Sequence, residues 1–144
     1  MGITNMITNA LWLDLIPGGV MPELHLKQDS TSASVKLLLR NGRTILDSAN
    51  HNCVVRGIRP DGSNLFFTCF TRWDDGVLCG MVEHAGVEAM SAVPGKYRCT
   101  LTILNTDQGV TRETYKNYDF LTVLSFTVIV HEKAGRDTDA QQDV

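Results

Sequence analysis

A two-residue alternation between Lys96 and Asn105 constrains the fold of this chain more than any other feature of its sequence. Apolar or aromatic side chains stand at every second position, and basic or hydroxyl side chains fill the positions between them. The first series is Tyr97, Cys99, Leu101 and Ile103, and the second is Lys96, Arg98, Thr100 and Thr102. Because successive side chains of a β-strand point to opposite faces, this pattern predicts a strand with one face in a core and one in water.

Short apolar and β-branched runs recur from Glu23 to His131, and Gly, Asn, Asp and Pro separate them. The predicted strands are 23–27, 33–40, 43–47, 52–59, 65–73, 77–83, 96–105 and 120–131, with a weak helical candidate at 85–93. Turn signals include Asn41-Gly42 and Pro60-Asp61-Gly62-Ser63. About seven or eight strands at roughly 8–12-residue intervals indicate an all-β fold, an immunoglobulin-like two-sheet antiparallel β-sandwich with an N-terminal extension. A small closed barrel is the alternative.

Tyr97 is a candidate structural anchor of this fold. It stands two residues before Cys99 and shortly after Pro94-Gly95, the place where an immunoglobulin-type sandwich has its tyrosine corner. We therefore expect the Tyr97 hydroxyl to bond a nearby backbone group. The alternative is that Tyr97 is simply one more alternating core residue.

Composition limits the partners that we expect. A net charge of −3 and the lack of large basic clusters argue against nucleic acid, and Arg56, Arg59 and Arg72 are predicted to lie on solvated sides of strands. No run reaches the roughly 18–20 apolar residues that cross a bilayer, so no membrane association is expected. The four cysteines are predicted to be buried free thiols, with a Cys53–Cys99 disulfide as the disfavoured alternative.

The sequence carries no recognisable nucleophile, phosphate-binding or zinc motif. The four histidines lie on different predicted elements without metal-ligand spacing; they are His25, His51, His84 and His131. Asp74-Asp75-Gly76 is interpreted as a hairpin turn because the chain after it is too apolar for a calcium loop. Glu83 and Glu88 lack an aromatic-lined cleft that would suit a glycosidase. We expect a protein that is not an enzyme and has no cofactor or metal.

The segment before the predicted strands is apolar and forms a unit of its own. We divide the chain into an N-terminal docking arm (1–21), a β-sandwich (22–132) and a flexible polar tail (133–144). The arm has four large apolar side chains that we predict at a partner interface, namely Trp12, Leu13, Leu15 and Ile16. The alternative is that the arm packs on its own sandwich as a helix or a strand.

Four segments of the chain resemble the N-terminal immunoglobulin-like domain of the phage upper baseplate protein family, BppU. They are VRGIRPDGSNLFF (Val55 to Phe67), DDGVLCGMV (Asp74 to Val82), MSAVPGKYRCTLTIL (Met90 to Leu104) and SFTVIVHE (Ser125 to Glu132). Their order and spacing carry the resemblance, which covers roughly Leu24 to Glu132. It implies a virion structural protein that attaches other phage proteins, assembles as a trimer or ring, and is made in the host bacterial cytoplasm.

The virion part, whether baseplate, head fibre or capsid attachment, stays open. A second hypothesis is a carbohydrate-binding module for a host-surface glycan, which needs an exposed aromatic platform. The candidate rings for that platform are Phe66, Phe70, Trp73 and Tyr118. A hydrolase is the third and least supported hypothesis.

Overall fold

The computed structural model describes residues 7–14, 21–29, 33–40, 51–74 and 77–132. Eight strands make up most of this part of the chain. They are β1 (Ile7–Asp14), β2 (Glu23–Lys27), β3 (Ala33–Arg40), β4 (Asn52–Ile58), β5 (Asn64–Asp74), β6 (Val77–Val82), β7 (Gly95–Leu104) and β8 (Phe120–His131). One α-helix, α1 (His84–Ser91), follows β6, and a 3-10 helix at Tyr115–Asn117 precedes β8. Within the described segments no helix reaches the length and apolarity that a bilayer crossing needs.

Most predicted strands are confirmed, and two regions differ from the expectation. The helix α1 is a regular eight-residue helix where only a weak candidate was expected. The strand β1 lies in the segment interpreted as a docking arm, where a strand packed on the chain's own sandwich was only the alternative. The predicted return strand 43–47 lies outside the described residues. The turn at 60–63 is confirmed: the Gly62 amide donates to the Arg59 carbonyl at 2.8 Å, and Gly62 has a φ of 89°.

All eight strands belong to one sheet with the order β1-β3-β6-β5-β4-β7-β8-β2. The inner pairs are antiparallel, whereas the two edge pairs, β1 with β3 and β2 with β8, are parallel. The edges β1 and β2 contact each other, so the sheet is a nearly closed, barrel-like sandwich. The all-β prediction is confirmed. The immunoglobulin-like arrangement of two separate sheets is not confirmed, because all eight strands are hydrogen-bonded into one continuous sheet.

The inner face of this sheet encloses the main core. Each strand contributes alternate side chains to it, as the two-residue period requires. They are Leu11 and Leu13 (β1), Leu24 and Leu26 (β2), Val35, Leu37 and Leu39 (β3), Cys53 and Val55 (β4), Leu65 and Cys69 (β5), Leu78 and Val82 (β6), Tyr97, Cys99, Leu101 and Ile103 (β7), and Leu124, Phe126, Val128 and Val130 (β8). Val87 and Met90 of α1 join the same cluster. The predicted inward series of β7 is therefore confirmed.

Tyr97 ties α1 to the sheet. Its hydroxyl donates a hydrogen bond to the backbone carbonyl of Met90 at 2.7 Å, and both residues are buried. The predicted bond from this hydroxyl to nearby backbone is thus confirmed. It satisfies a carbonyl at the end of a helix, where intrahelical partners run out.

A second apolar cluster lies on the outer face of β4 and β7. Residues 105–119 connect β7 to β8 across this face and bring Val110 and Tyr115 onto Val54 and Leu104. Phe66 and Tyr118 pack against the cluster. The outer face of β7, predicted to be wet, is consequently covered near its end, where Thr102 is only 1% exposed.

All four cysteines are free thiols with buried side chains, as predicted. Cys53 and Cys69 face each other across β4 and β5, and the side-chain hydrogen bond between the two thiols, together with burial, raises the pKa of Cys53 well above its ordinary value. Burial raises the pKa of Cys99 to about 12. Burial also raises the pKa of Tyr97.

Replacing Tyr97 by Phe removes the hydrogen bond to Met90 while keeping the ring. We expect a loss of about 1–2 kcal/mol in the free energy of unfolding, because the buried carbonyl loses its partner. Urea unfolding measures it. Tyr118→Phe is the matched control and should change the free energy of unfolding by less than about 0.5 kcal/mol, since Tyr118 is only partly buried. Equal losses in the two variants would contradict the assigned bond.

The buried thiols also predict how stability depends on alkaline pH. An unfolded thiol releases its proton near pH 8.5, whereas the folded protein holds the Cys99 proton up to a pKa of about 12. This contribution is therefore fully present below about pH 8.5 and is lost as the pH rises toward 12. Urea unfolding at several pH values should give a steeper decline between about pH 9 and 11 for the wild type than for Cys99→Ala. Parallel declines would contradict it.

Candidate functional site

The structure describes two of the four predicted docking residues, Trp12 and Leu13, and places them on opposite faces of β1. Leu13 is 1% exposed and lies in the main core, together with Leu11 of the same strand. Trp12 points to the other face of β1 and is 45% exposed. Leu15 and Ile16 lie outside the described residues. Over β1 the arm therefore packs on its own sheet with one face, which leaves the opposite face, with Trp12, toward the surroundings.

Trp12 belongs to a larger apolar area, which we call the outer apolar surface. The register pairs Trp12 with Leu38 of β3, and the neighbouring row of the same face pairs Met81 of β6 with Phe70 of β5. Phe70 is 44% exposed, and Leu38 and Met81 are half-buried. Within each row, paired side chains lie about 4.5–5.5 Å apart at Cβ, whereas Leu38 and Met81 are diagonal neighbours at about 7–8 Å, since Leu38 pairs with Cys79 and Met81 pairs with Lys36. Trp12, Leu38, Met81 and Phe70 therefore form a mostly apolar outward patch across four strands that also contains Lys36.

A pocket of about 600 Å³ opens on a different part of the outer face, where β4, β5 and β7 meet the connection to β8. Four basic side chains line it, and two aromatic rings lie between them. The basic residues are Arg56, Arg98, Arg112 and Lys116, and the rings are Phe66 and Tyr115. We call this the basic pocket.

The rings contact three of the four basic side chains. Arg56 donates a hydrogen bond from Nη1 to the Tyr115 hydroxyl at 2.9 Å, and its Cζ lies 5.3 Å from the Tyr115 ring centroid. Lys116 Nζ lies 5.8 Å from the same centroid. Arg112 Cζ lies 4.8 Å from the centroid of Phe66. These are cation–π distances, and the two rings contact each other at 5.6 Å.

Among the described residues, no Asp or Glu lines the pocket beside these charges. Sequence reasoning assigned Arg56 and Arg98 to solvated strand faces, where both are exposed, and singled out neither Arg112 nor Lys116. The signal it lacked was proximity, because Arg98 and Arg112 come from separate elements that only the fold joins.

The residues considered for a glycan platform do not form one together. Phe66 and Tyr118 pack against the second apolar cluster, and Arg112 covers a face of Phe66. Phe70 belongs to the outer apolar surface, four residues further along β5. The Trp73 side chain lies outside what the structure describes.

Of the histidines, His25 and His131 come together on the outer face of β2 and β8. His25 Nδ1 and His131 Nε2 are 3.0 Å apart, and the rings stack with a centroid distance of 5.3 Å. Glu23 Oε1 lies 3.5 Å from His25 Nε2. This pair links the edge strand β2 to β8. Among the described residues no group of three or more His, Cys, Asp or Glu side chains is arranged to hold a metal ion.

Comparisons with known proteins give a likeness in structure and none in sequence family. No protein-family model matches the chain, and no curated protein matches it. Among solved structures, the chain is similar to the N-terminal domain of phage TP901-1 ORF48, with a TM-score of 0.48 and 10% sequence identity, over 87% of this chain and 98% of that one.

Proposed function

We propose that this protein is a non-enzymatic structural protein of a bacteriophage virion, which docks onto other virion subunits. The observation that carries the proposal is the outer apolar surface, where Trp12 and Phe70 stay 45% and 44% exposed. Exposed aromatic side chains of this size are typical anchors of protein interfaces. The sequence resemblance to the phage upper baseplate family supports the virion setting. In this proposal the nearly closed sheet is a variant of the immunoglobulin-like sandwich of that family.

In this proposal the docking arm still contacts the partner, but only through the outward face of β1. The inward side chains Leu11 and Leu13 belong to the protein's own core, and the outward Trp12 contacts the partner. Leu15 and Ile16 remain proposed interface residues. Deleting 1–21 is therefore a poor test, because it strips β1 from the sheet and uncovers core side chains of β3. Substitutions on the outer apolar surface separate docking from folding.

The rings suggested for a glycan platform give little support to the carbohydrate-binding alternative. Two of them pack against an apolar cluster, and Phe70 shares a row with Met81 on the outer apolar surface. We therefore assign Phe70 to protein docking.

The test is incorporation into particles. A phage lacking this protein is supplied with wild-type or variant chain, and mass spectrometry quantifies the chain in purified particles. We expect Trp12→Ser and Phe70→Ser to lower incorporation about tenfold or more, since each removes an interface anchor. Their free energies of unfolding should change by less than about 1 kcal/mol because both side chains face outward. Leu121→Ser, at an exposed apolar position of β8, is the matched control and should incorporate normally. Absence of the wild-type chain from particles, or normal incorporation of both surface variants, would refute the proposal.

We further propose that the protein forms a homo-oligomer, a trimer or a ring. Light scattering coupled to size-exclusion chromatography should give the wild type a molar mass that is two or more times the 15.9 kDa of a single chain. A homo-oligomer that uses the outer apolar surface should dissociate in Trp12→Ser. A mass of 15.9 kDa for the wild type at all concentrations would refute the oligomer and leave docking onto other subunits standing.

A further inference from the structure

The basic pocket concentrates positive charge in a chain that is acidic as a whole. The net charge is −3, yet four of the 13 Lys and Arg residues line one pocket. Like charges held close together repel one another, and no carboxylate in the described lining relieves that repulsion. An arrangement of this kind is stabilised by an anion that enters the pocket.

The pocket is built on a rigid base. Tyr115, which bonds Arg56 and lies beneath the Lys116 ammonium group, is only 4% exposed and is part of the second apolar cluster. Phe66, under Arg112, packs against the same cluster. The rings therefore position Arg56, Arg112 and Lys116 before any ligand arrives, which lowers the entropy that binding must overcome.

The geometry also indicates the chemical class of the ligand. Arginine guanidinium groups present paired N–H donors that match the oxygens of phosphate and carboxylate. Basic side chains lie near both ring systems, so the rings are poorly placed to stack on a neutral sugar. A volume of about 600 Å³ exceeds the needs of a single phosphate ion and suits a larger molecule.

We propose that the basic pocket binds a compact polyanion, a molecule with two or more phosphate or carboxylate groups. Arg98 and Arg112 approach its oxyanions from β7 and from the connection to β8, while Arg56 and Lys116 contribute charge beside Tyr115. The inference goes beyond the docking function and does not depend on it, because the outer apolar surface consists of other residues.

Isothermal titration of the full chain at low salt tests the proposal, with pyrophosphate and citrate as probes. At least one probe should bind saturably, and binding should weaken as salt rises. Arg98→Gln and Arg112→Gln should each weaken that binding about tenfold, because each removes a charge-assisted contact. Arg72→Gln is the matched control: it removes the same charge from an exposed position of β5 outside the pocket and should change the affinity less than about twofold.

The outcomes separate cleanly. Binding of pyrophosphate alone assigns phosphate as the ligand group, binding of citrate alone assigns carboxylate, and binding of both assigns oxyanions in general. Urea unfolding checks that the variants are folded. If a variant is not folded, NMR titration of the wild type replaces that variant. The backbone amide signals of Arg98 and Arg112 must then shift with the bound probe, and the shifts must saturate. No saturable binding of either probe, or an equal loss of affinity in Arg72→Gln, would overturn the proposal.

Discussion

The eight strands share one apolar face. The sheet shields most of that face from water by bending until its two halves pack against each other. The two edges of the sheet, β1 and β2, contact each other, and each brings two buried leucines to the join. Each edge is parallel to its inner neighbour, and five antiparallel pairs separate β3 from β8, so β1 and β2 have opposite directions within the sheet. The helix α1 and the Tyr97 bond to Met90 then cover one end of the core. The outer face is left for contacts with other molecules.

Covering part of that outer face creates the basic pocket. Residues 105–119 cross β4 and β7, and Tyr115 from this crossing is both a member of an apolar cluster and a wall of the pocket. A residue in both places couples the shape of the pocket to the stability of the fold. The outer apolar surface has no such cover in the described residues, and its aromatic side chains rest on paired strands.

Local patterns predicted what local physics decides. The alternation in β7 gave its buried face, and the position of Tyr97 gave its bond to backbone, because side-chain period and nearby turns act within a few residues. The strand β1 was predicted only as an alternative because Trp12 interrupts the polar half of its alternation, so Leu11 and Leu13 stand in a continuous apolar run. The order of the strands and the gathering of Arg56, Arg98 and Arg112 are set by contacts between distant parts of the chain, which no short pattern records.

The pairing of β2 with β8 has a consequence for the order in which the protein is made. β2 ends at Lys27, whereas its only ladder partner among the described strands ends at His131. On a ribosome that releases the chain from its N-terminus, β2 and its two buried leucines must wait until β8, about a hundred residues later, has emerged. Completion of the sheet is thereby tied to the emergence of β8, and a chain truncated before β8 cannot close its core.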